Sequence, residues 1–384
     1  MGNIDKKKIG IIGTGFIGGG LKKTISGLDD MMVSSVLTRR NPEDFPDKEV
    51  YTNSYQELID KSDLIVECNG DPVYATEIVN KALTAGLPVV TMDAELHITS
   101  GSFLSTRGLI TEAEGDQPGA LAALNRDLAT MGFKPLVYGN LKGFLNLNPT
   151  REEMQYWAKL QGISLDQVTG FTDGTKIQIE QVLVANGLGA TIGKQAMFGY
   201  ESEDIDEGSR RLADRAKELG SPISDYLLSS PQAKRKFPAG VFITAEYNPD
   251  QAPALKYLKL GEGPYYTMIR NFHLCHLEIP VTIRQVLKNG DVLLDNSDHP
   301  VASVAAIAKK TLNPGTVIRR YDRGFQIRGE AILIKDDPNH IPVGLISDVI
   351  ITREVEPGQM LTFDDVEVPD SLAYRAWRYT LCLA

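Results

Sequence analysis

Two lysines in glycine-rich surroundings are the side chains best suited to chemistry in this sequence. Lys142 lies in the segment 139–146, Lys176 lies three residues after Asp173, and both are predicted to stand in loops. A lysine can donate a proton near a substrate oxygen when burial or a second cation lowers its pKa. The sequence therefore predicts Lys176, Lys142 and Asp173 as catalytic residues, the carboxylate having an orienting role. The alternative for either lysine is a solvated surface charge.

Further polar side chains in predicted loops are candidates for substrate binding. The predicted substrate-binding residues are Glu114, Asp116, Gln117, Asn146 and His273. The acidic run 112–116 could also supply oxygen ligands to a divalent cation such as Mg²⁺ or Mn²⁺. A zinc site at the histidine pair 273 and 276 is disfavoured, because a third ligand is not evident nearby. The metal content is therefore left open.

A glycine pattern close to the start of the chain predicts a dinucleotide site. Residues 13–18 read G-x-G-x-x-G between a predicted strand at 8–12 and a predicted helix at 16–26. The first glycine allows a tight turn, the second lets the backbone approach a pyrophosphate, and the third lets the helix pack closely on the strand. The pyrophosphate is expected at the helix N-terminus, where free N–H groups favour anions.

The end of the next predicted strand favours NADP(H) over NAD(H). Strand 32–37 is followed by Thr38, Arg39 and Arg40, where an NAD enzyme usually has an acidic residue that binds the ribose hydroxyls. Guanidinium groups pair with a 2′-phosphate, although a solvated turn with incidental arginines is the alternative. The predicted cofactor-binding residues are Gly13, Thr14, Gly15, Phe16, Ile17, Gly18, Thr38, Arg39, Arg40, Asn69 and Gly70.

The elements that must position these residues alternate between strand and helix in the first part of the chain. Predicted strands at 63–68, 86–92 and 108–110 and a helix at 74–85 indicate an α/β fold with a doubly wound parallel sheet. Residues 151–235 are predicted to be rich in helices, and residues 236–283 return to β character. Pro-Gly turns between short apolar runs predict a β-rich C-terminal part. The predicted domains are 1–148, 149–300 and 301–384.

Composition excludes several classes of protein. The 384 residues have a formal net charge of -10, which disfavours binding to nucleic acid or to anionic membranes. The three cysteines form no C-x-x-C pair, and reduced thiols are expected. Apolar runs are too short for a signal peptide or a membrane span, so a cytoplasmic location is predicted.

The order of these motifs resembles that of the homoserine dehydrogenase-like oxidoreductases over roughly residues 7–282. Within that group the chain resembles most the branch of the 1-deoxy-D-xylulose 5-phosphate reductoisomerase-like enzymes. Glu95 stands where homoserine dehydrogenases carry a lysine, so homoserine is not expected as the substrate. The segments 308–317 and 355–366 resemble a SAF (β-clip) domain. The resemblance implies a Rossmann domain, an α+β substrate and dimerisation domain, a SAF-like domain, and a homodimer or homotetramer.

Three functions are compatible with these features. The first is an NADPH-dependent oxidoreductase that reduces a small polar carbonyl compound, such as a sugar phosphate whose reduction is coupled to an isomerisation. The second is a metal-independent reductase or dehydrogenase of a semialdehyde or keto sugar. The third is a non-catalytic NADP-binding sensor, for which the lysines would be dispensable.

Overall fold

The computed structural model describes residues 6–383. The strands are β1 (Lys7–Ile12), β2 (Met31–Leu37), β3 (Tyr51–Thr52), β4 (Leu64–Glu67), β5 (Val89–Thr91), β6 (Ile110–Glu112), β7 (Lys134–Lys142), β8 (Tyr200–Ser202), β9 (Ile223–Ser229), β10 (Val241–Glu246), β11 (Tyr265–Arg270), β12 (Ala302–Ala308), β13 (Val317–Ile318), β14 (Ile327–Leu333), β15 (Val349–Ile351) and β16 (Val366–Glu367). The α-helices are α1 (Phe16–Ser26), α2 (Tyr55–Asp60), α3 (Pro72–Thr84), α4 (Ala94–Leu96), α5 (Ser102–Leu104), α6 (Gln117–Thr130), α7 (Arg151–Gln161), α8 (Leu165–Thr172), α9 (Thr175–Gly187), α10 (Ile205–Leu219), α11 (Ala252–Tyr257), α12 (Ile279–Asn289) and α13 (Leu372–Leu381).

These elements form two compact units, each built from separate stretches of the chain. The first comprises residues 6–116, 274–298 and 370–383, and the second comprises residues 117–273 and 299–369. Neither unit ends at residue 148 or 300, and the three-domain division stays a prediction. In the part of the chain that the structure describes, no helix is long and apolar enough to span a bilayer.

The first unit contains a parallel sheet of six described strands in the order β3-β2-β1-β4-β5-β6. Strand β1 is apolar on both faces because helices cover both, with Ile12 in one buried cluster and Ile9 and Ile11 in another. This order and this burial are those of a Rossmann sheet. The predicted doubly wound sheet and the predicted helix α1 are confirmed. Strand β6 begins two residues later than predicted, so Thr111 and Glu112 lie in a strand rather than a loop.

Helix α13 packs within the first unit although it lies at the end of the chain. Its Trp377 is fully buried, and the ring of Tyr379 lies edge-on to Phe103, with 5.8 Å between the centroids. The prediction of an entirely β-rich part at 301–384 is therefore wrong for residues 372–381. The amphipathic spacing of this helix was not recognised in the sequence.

The second unit has a mixed sheet whose described strands run in the order β11-β10-β7-β9-β8. Central strand β7 is parallel to β9 and antiparallel to β10. The prediction of a loop at 139–146 is wrong for residues 139–142, which form the last part of β7. The helix-rich prediction for 151–235 holds for α7 to α10 but misses β8 and β9.

Small antiparallel sheets, β12-β14 and β13-β15-β16, follow in the same unit. They confirm the predicted β character of the C-terminal part, while its SAF-like fold stays a prediction. Helix α9 packs against β12 and β14 as well as β7 and β9. It is therefore buried almost all round, as expected for a helix enclosed by other elements.

Candidate functional site

The glycine loop between β1 and α1 has the geometry of a pyrophosphate cradle. Gly13 has a φ of 111°, which side chains rarely adopt. A Cβ on Gly18 would lie 2.2 Å from the Gly13 carbonyl oxygen, so the close packing of the helix on the loop requires glycine. A Cβ on Gly15 would meet nothing within 4 Å, and Gly15 precedes the first turn of α1. The loop thus leaves open space at the helix N-terminus, and its residues fit a dinucleotide.

The residues after β2 are organised around this loop. The Arg40 guanidinium donates to the carbonyl oxygen and the hydroxyl of Thr14, at 3.1 and 2.6 Å. Arg39 lies 3.4 Å from the Asp71 carboxylate and over the ring of Tyr74, and it remains mostly exposed. The hydroxyl of Thr38 accepts the Arg40 N–H at 3.1 Å. The Arg40 guanidinium therefore contacts the glycine loop, whereas Arg39 lies at the N-terminal end of α3.

Strand β4 ends in a buried carboxyl group that holds the next loop. Glu67 accepts the backbone N–H of Asn69 at 2.6 Å and the hydroxyl of Thr91 at 2.8 Å. Burial, and then the charge of Asp93, raise the pKa of Glu67 from 4.5 to about 8. Asn69 in turn lies against Gly13, and its side-chain nitrogen is a buried donor with no hydrogen-bond partner. Asn69 thus brings a buried amide donor to the edge of the glycine loop.

Glu67, Thr91 and Glu112 end three neighbouring strands in register. His97 follows helix α4, and its Nε2 lies 3.6 Å from Glu112 Oε2, with both side chains fully buried. Burial lowers the pKa of His97 to about 3, so its imidazole is neutral. Polar groups at the carboxyl ends of parallel strands lie where ligands bind in such sheets. Glu112 belongs to the acidic run 112–116 that the sequence indicated as a source of oxygen ligands, whereas Glu67 was not singled out in the sequence.

His276 packs on helix α1 beside Phe16. The imidazole of His276 occupies the space in which Gly20 would carry a Cβ, and it lies edge-on to Phe16 at 5.5 Å. Phe16 is the first residue of α1 and is more than half exposed. Burial, and then Lys23, lower the pKa of His276. The role of this histidine is therefore to fill a gap over the glycine-rich helix.

The acidic residues predicted to bind substrate lie in a tight, buried connection. Glu114 and Asp116 are buried, and the Glu114 N–H donates to the Thr282 hydroxyl at 2.9 Å. Gly115 accepts the Cys275 N–H at 2.9 Å and lies so close to it that a Cβ would clash. Gln117 begins helix α6, which corrects its prediction as a loop residue. No group of three or more His, Cys, Asp or Glu side chains within residues 6–383 is placed to hold a metal ion.

In the second unit, Lys176 is the exposed end of a buried polar chain. Its Nζ lies 2.8 Å from Oε1 of Glu180, one turn further along α9, and the other Glu180 oxygen accepts the side-chain amide of Asn140 at 3.0 Å. Glu180 and Asn140 are fully buried, whereas 30% of the Lys176 side chain is exposed. The lysine ammonium is therefore paired with a fully buried carboxylate, while part of the lysine side chain is exposed.

Lys142 is the last residue of β7, two positions after Asn140. Because strand side chains alternate between faces, Lys142 shares the sheet face of Asn140, which is the face that meets α9. The structure thus brings Lys142 to the side of the sheet that carries Glu180 and Lys176. The predictions for both lysines remain open to test by mutation.

Asp173 has both carboxylate oxygens engaged. One accepts the Thr175 N–H at 2.9 Å, and the other accepts the Lys309 ammonium at 2.5 Å. Asn146 lies next to this point, since its N–H donates to the Thr172 carbonyl at 2.8 Å. His273 lies on the segment after β11, and its Nδ1 is buried without a hydrogen-bond partner. The catalytic role predicted for Asp173 and the binding roles of Asn146 and His273 stay predictions.

Sequence reasoning missed Asn140, Glu180 and Lys309. Glu180 lies four residues after Lys176 in a region predicted to be rich in helices, and this spacing was the one available signal for such a pair. Asn140 and Lys309 carried no comparable signal, because their partners are 40 and 136 residues away.

Two family models match different parts of the chain. Residues 13–105 match the family model for the homoserine dehydrogenase NAD-binding domain, and residues 115–279 match that for the catalytic domain of oxidoreductase DRL. No curated protein sequence matches the chain. The chain therefore carries the nucleotide-binding and catalytic domains of an NAD(P)-dependent oxidoreductase. Its placement in the reductoisomerase-like branch stays a prediction.

Solved structures resemble the chain only distantly. A scyllo-inositol dehydrogenase from Lactobacillus casei is 12% identical, with a TM-score of 0.43 over 77% of this chain and 93% of that one. A probable dehydrogenase from Thermotoga maritima is also 12% identical, with a TM-score of 0.42 over 74% of this chain and 90% of that one. An NAD-binding protein from Listeria innocua is 13% identical, with a TM-score of 0.39 over 76% and 93%.

Proposed function

We propose that this chain is an NADP(H)-dependent oxidoreductase that interconverts a carbonyl group and an alcohol on a small, anionic, polar substrate. The observation that carries the proposal is the chain from Asn140 through Glu180 to Lys176, which directs a lysine ammonium from a buried helix toward solvent. Such an arrangement orients a proton donor without burying the donor itself. The match to an oxidoreductase catalytic domain over the same residues supports this role.

The nucleotide supplies a hydride equivalent when it is bound. The glycine loop at 13–18 and the N-terminus of α1 bind its pyrophosphate. Arg39 and Arg40 select the 2′-phosphate, because guanidinium groups pair with phosphate and the position after β2 lacks a carboxylate. The buried Asn69 amide donates a hydrogen bond to the nucleotide on the other side of the loop.

Lys176 completes the reduction by protonating the substrate oxygen. The Lys176 Nζ–H would donate its proton to the substrate oxygen, on which negative charge develops during the reduction. Solvent would then return a proton to the lysine, and the net products would be the alcohol and the oxidised nucleotide. Glu180 holds the ammonium in position before and after transfer.

Lys142 binds the anionic group of the substrate. A flexible lysine at the end of β7 is suited to a phosphate or carboxylate, to which it offers a point charge. Sugar phosphates therefore come first in the search for a substrate, followed by semialdehydes and keto sugars. A coupled isomerisation would reveal itself as a product with a rearranged carbon skeleton.

The test is oxidation of NADPH at 340 nm with a panel of phosphorylated ketoses, semialdehydes and keto sugars, with and without Mg²⁺ or Mn²⁺. We expect turnover of one of these compounds, abolished in Lys176→Ala while NADPH affinity changes by no more than a few-fold. Lys159→Ala, at an exposed position on α7, is the matched control. Wild-type turnover in Lys176→Ala would remove this lysine from the mechanism. NADPH binding without any turnover would favour the sensor function, and metal dependence would separate a reductoisomerase from a simple reductase.

A further inference from the structure

Lys309 is a buried lysine outside the matched catalytic domain. It follows β12 in the C-terminal part of the second unit, and only 6% of its side chain is exposed. Its ammonium donates to Oδ2 of Asp173 at 2.5 Å and to the carbonyl oxygen of Gly324 at 2.6 Å. A buried lysine with two strong acceptors is built into the structure rather than placed there by chance.

Asp173 transmits this contact to the start of α9. Its second carboxylate oxygen accepts the N–H of Thr175, the first residue of the helix. The Thr175 hydroxyl accepts the N–H of Gly329 in β14 at 2.9 Å. Thr175, the residue that immediately precedes Lys176, is therefore held by one direct hydrogen bond from β14 and, through Asp173, by Lys309.

We infer that Lys309 is a positioning residue for Lys176, acting through Asp173 and the first turn of α9. This inference rests on the proposed role of Lys176 as the proton donor. It gives the C-terminal segment 299–369 a direct role in positioning Lys176, rather than the role of a separate regulatory module. It also gives Asp173 the role of a connector whose charge Lys309 neutralises.

The charges around Lys309 make this role measurable. Burial lowers the pKa of Lys309, while Asp173 opposes that change and the nearby Arg328 adds to it. Arg328 is itself paired with Glu330, so Asp173 is the acidic partner of Lys309. Removal of Lys309 leaves the negative charge of Asp173 unbalanced, three residues before Lys176. Removal of Asp173 leaves the positive charge of Lys309 unbalanced, one contact further from Lys176. That charge alters the pH at which Lys176 loses its proton.

The experiment follows the state of Lys176 without requiring a substrate. The full chain is acylated with trace acetic anhydride between pH 7 and 11, and the Lys176 peptide is quantified by mass spectrometry. Lys309→Met is expected to raise the midpoint of Lys176 labelling by about one pH unit, and Asp173→Asn to lower it by about as much. The double variant, whose pair is neutral, returns the midpoint to near the wild-type value. Lys310→Met, at the exposed neighbouring position, is the control and leaves the midpoint unchanged.

Turnover with the substrate found in the panel provides the second readout. Each single variant is expected to lose about tenfold in kcat, and the double variant recovers most of the loss, since paired residues are not additive. If Lys309→Met does not fold, as judged by circular dichroism, Asp173→Asn and the double variant still carry the test. Unchanged Lys176 labelling in the folded single variants, or an equal change in Lys310→Met, would overturn the inference. Absence of turnover in the wild type would instead refute the proposed function, because the labelling result does not depend on it.

Discussion

The replacement of Glu180 by glutamine separates the electrostatic role of this buried residue from its role in the fold. The variant Glu180→Gln keeps the size of the side chain and an oxygen that can accept the Asn140 amide, but it removes the charge that faces Lys176. Without a neighbouring carboxylate the ammonium form of Lys176 is less favoured. The basic limb of the pH profile of kcat/KM for reduction is therefore expected to move to lower pH.

The distance of 2.8 Å between Lys176 Nζ and Glu180 Oε1 sets the size of the expected shift in the pH profile. Coulomb's law at this distance gives about 1.5 kcal/mol at a dielectric constant of about 80, and about 6 kcal/mol at about 20. Since about 1.4 kcal/mol corresponds to one pH unit, these limits bracket shifts of about 1 and about 4 units. Because 30% of the lysine side chain is exposed, screening by water favours the lower part of this range. We expect about 1 to 2 units, and a loss of about 10- to 100-fold in kcat from the misplaced donor.

Kinetics between pH 6 and 10, together with urea unfolding of the same variant, distinguish the two roles. The free energy of unfolding should change by no more than about 1 kcal/mol, because the loss of the ion pair is offset by removal of a buried charge. Glu201→Gln, at an exposed position on β8, serves as the control and should leave the profile unchanged. A folded Glu180→Gln enzyme whose basic limb coincides with that of the wild type would refute the argument that Glu180 governs Lys176.

Three further predictions concern the first unit. Arg39→Ala and Arg40→Ala should each weaken NADPH binding by about 10- to 100-fold, because each removes a charge-assisted contact. NADH binding should stay nearly unchanged, and calorimetric titrations measure both affinities. Equal losses for the two nucleotides would contradict recognition of the 2′-phosphate. Gly18→Ala should destabilise the fold by about 1–3 kcal/mol and weaken nucleotide binding, since its Cβ would meet a carbonyl oxygen at 2.2 Å. Gly19→Ala, whose Cβ would meet nothing within 4 Å, should instead stabilise the same helix by about 0.5–1 kcal/mol. Thermal unfolding of the two variants measures these opposite changes in stability. The pKa of Glu67 is raised from 4.5 to about 8 in the folded state. Between these pH values the folded chain retains a proton that the unfolded chain has lost. The contribution of Glu67 to the free energy of unfolding therefore decreases as the pH rises from 4.5 through 8. Glu67→Gln should flatten the unfolding free energy over this range, and an unchanged slope would contradict the assignment.

The local patterns near the start of the chain predicted the nucleotide-binding region well. Predicted helix 16–26 and strand 32–37 match α1 and β2 closely, because glycine spacing and continuous apolar runs are local signals. Strand β9 was missed for the opposite reason. Asp225 interrupts its apolar run, although this carboxyl group is fully buried and accepts the N–H groups of Phe198, Gly199 and Tyr226. Burial raises the pKa of Asp225 to about 6, which shows how costly its position would be without those donors.

The lysine site was predicted only in part. Lys142 and Lys176 were proposed from their glycine-rich settings, but both were predicted in loops, whereas Lys142 ends β7 and Lys176 lies in the first turn of α9. Glycine at position 139 suggested a turn, whereas in β7 it makes room for the ring of Phe242, which a Cβ would meet at 2.0 Å. Glu180 lies only one turn from Lys176, but Asn140, which holds the other Glu180 oxygen, is 40 residues away, and no local pattern reports such a contact.

The enclosure of α9 limits how this protein can be divided. Thr175 and Gln178 accept backbone N–H groups of Gly329 and Ala331, and the Asn186 side chain donates to the carbonyl oxygen of Ala302. A recombinant fragment confined to the matched residues 115–279 would leave these buried polar groups without partners and would expose one flank of the helix. Gene fusions and domain exchanges must therefore carry residues 299–369 along with the catalytic part. For the same reason, we expect residues 115–279 transferred on their own into another protein to fold poorly.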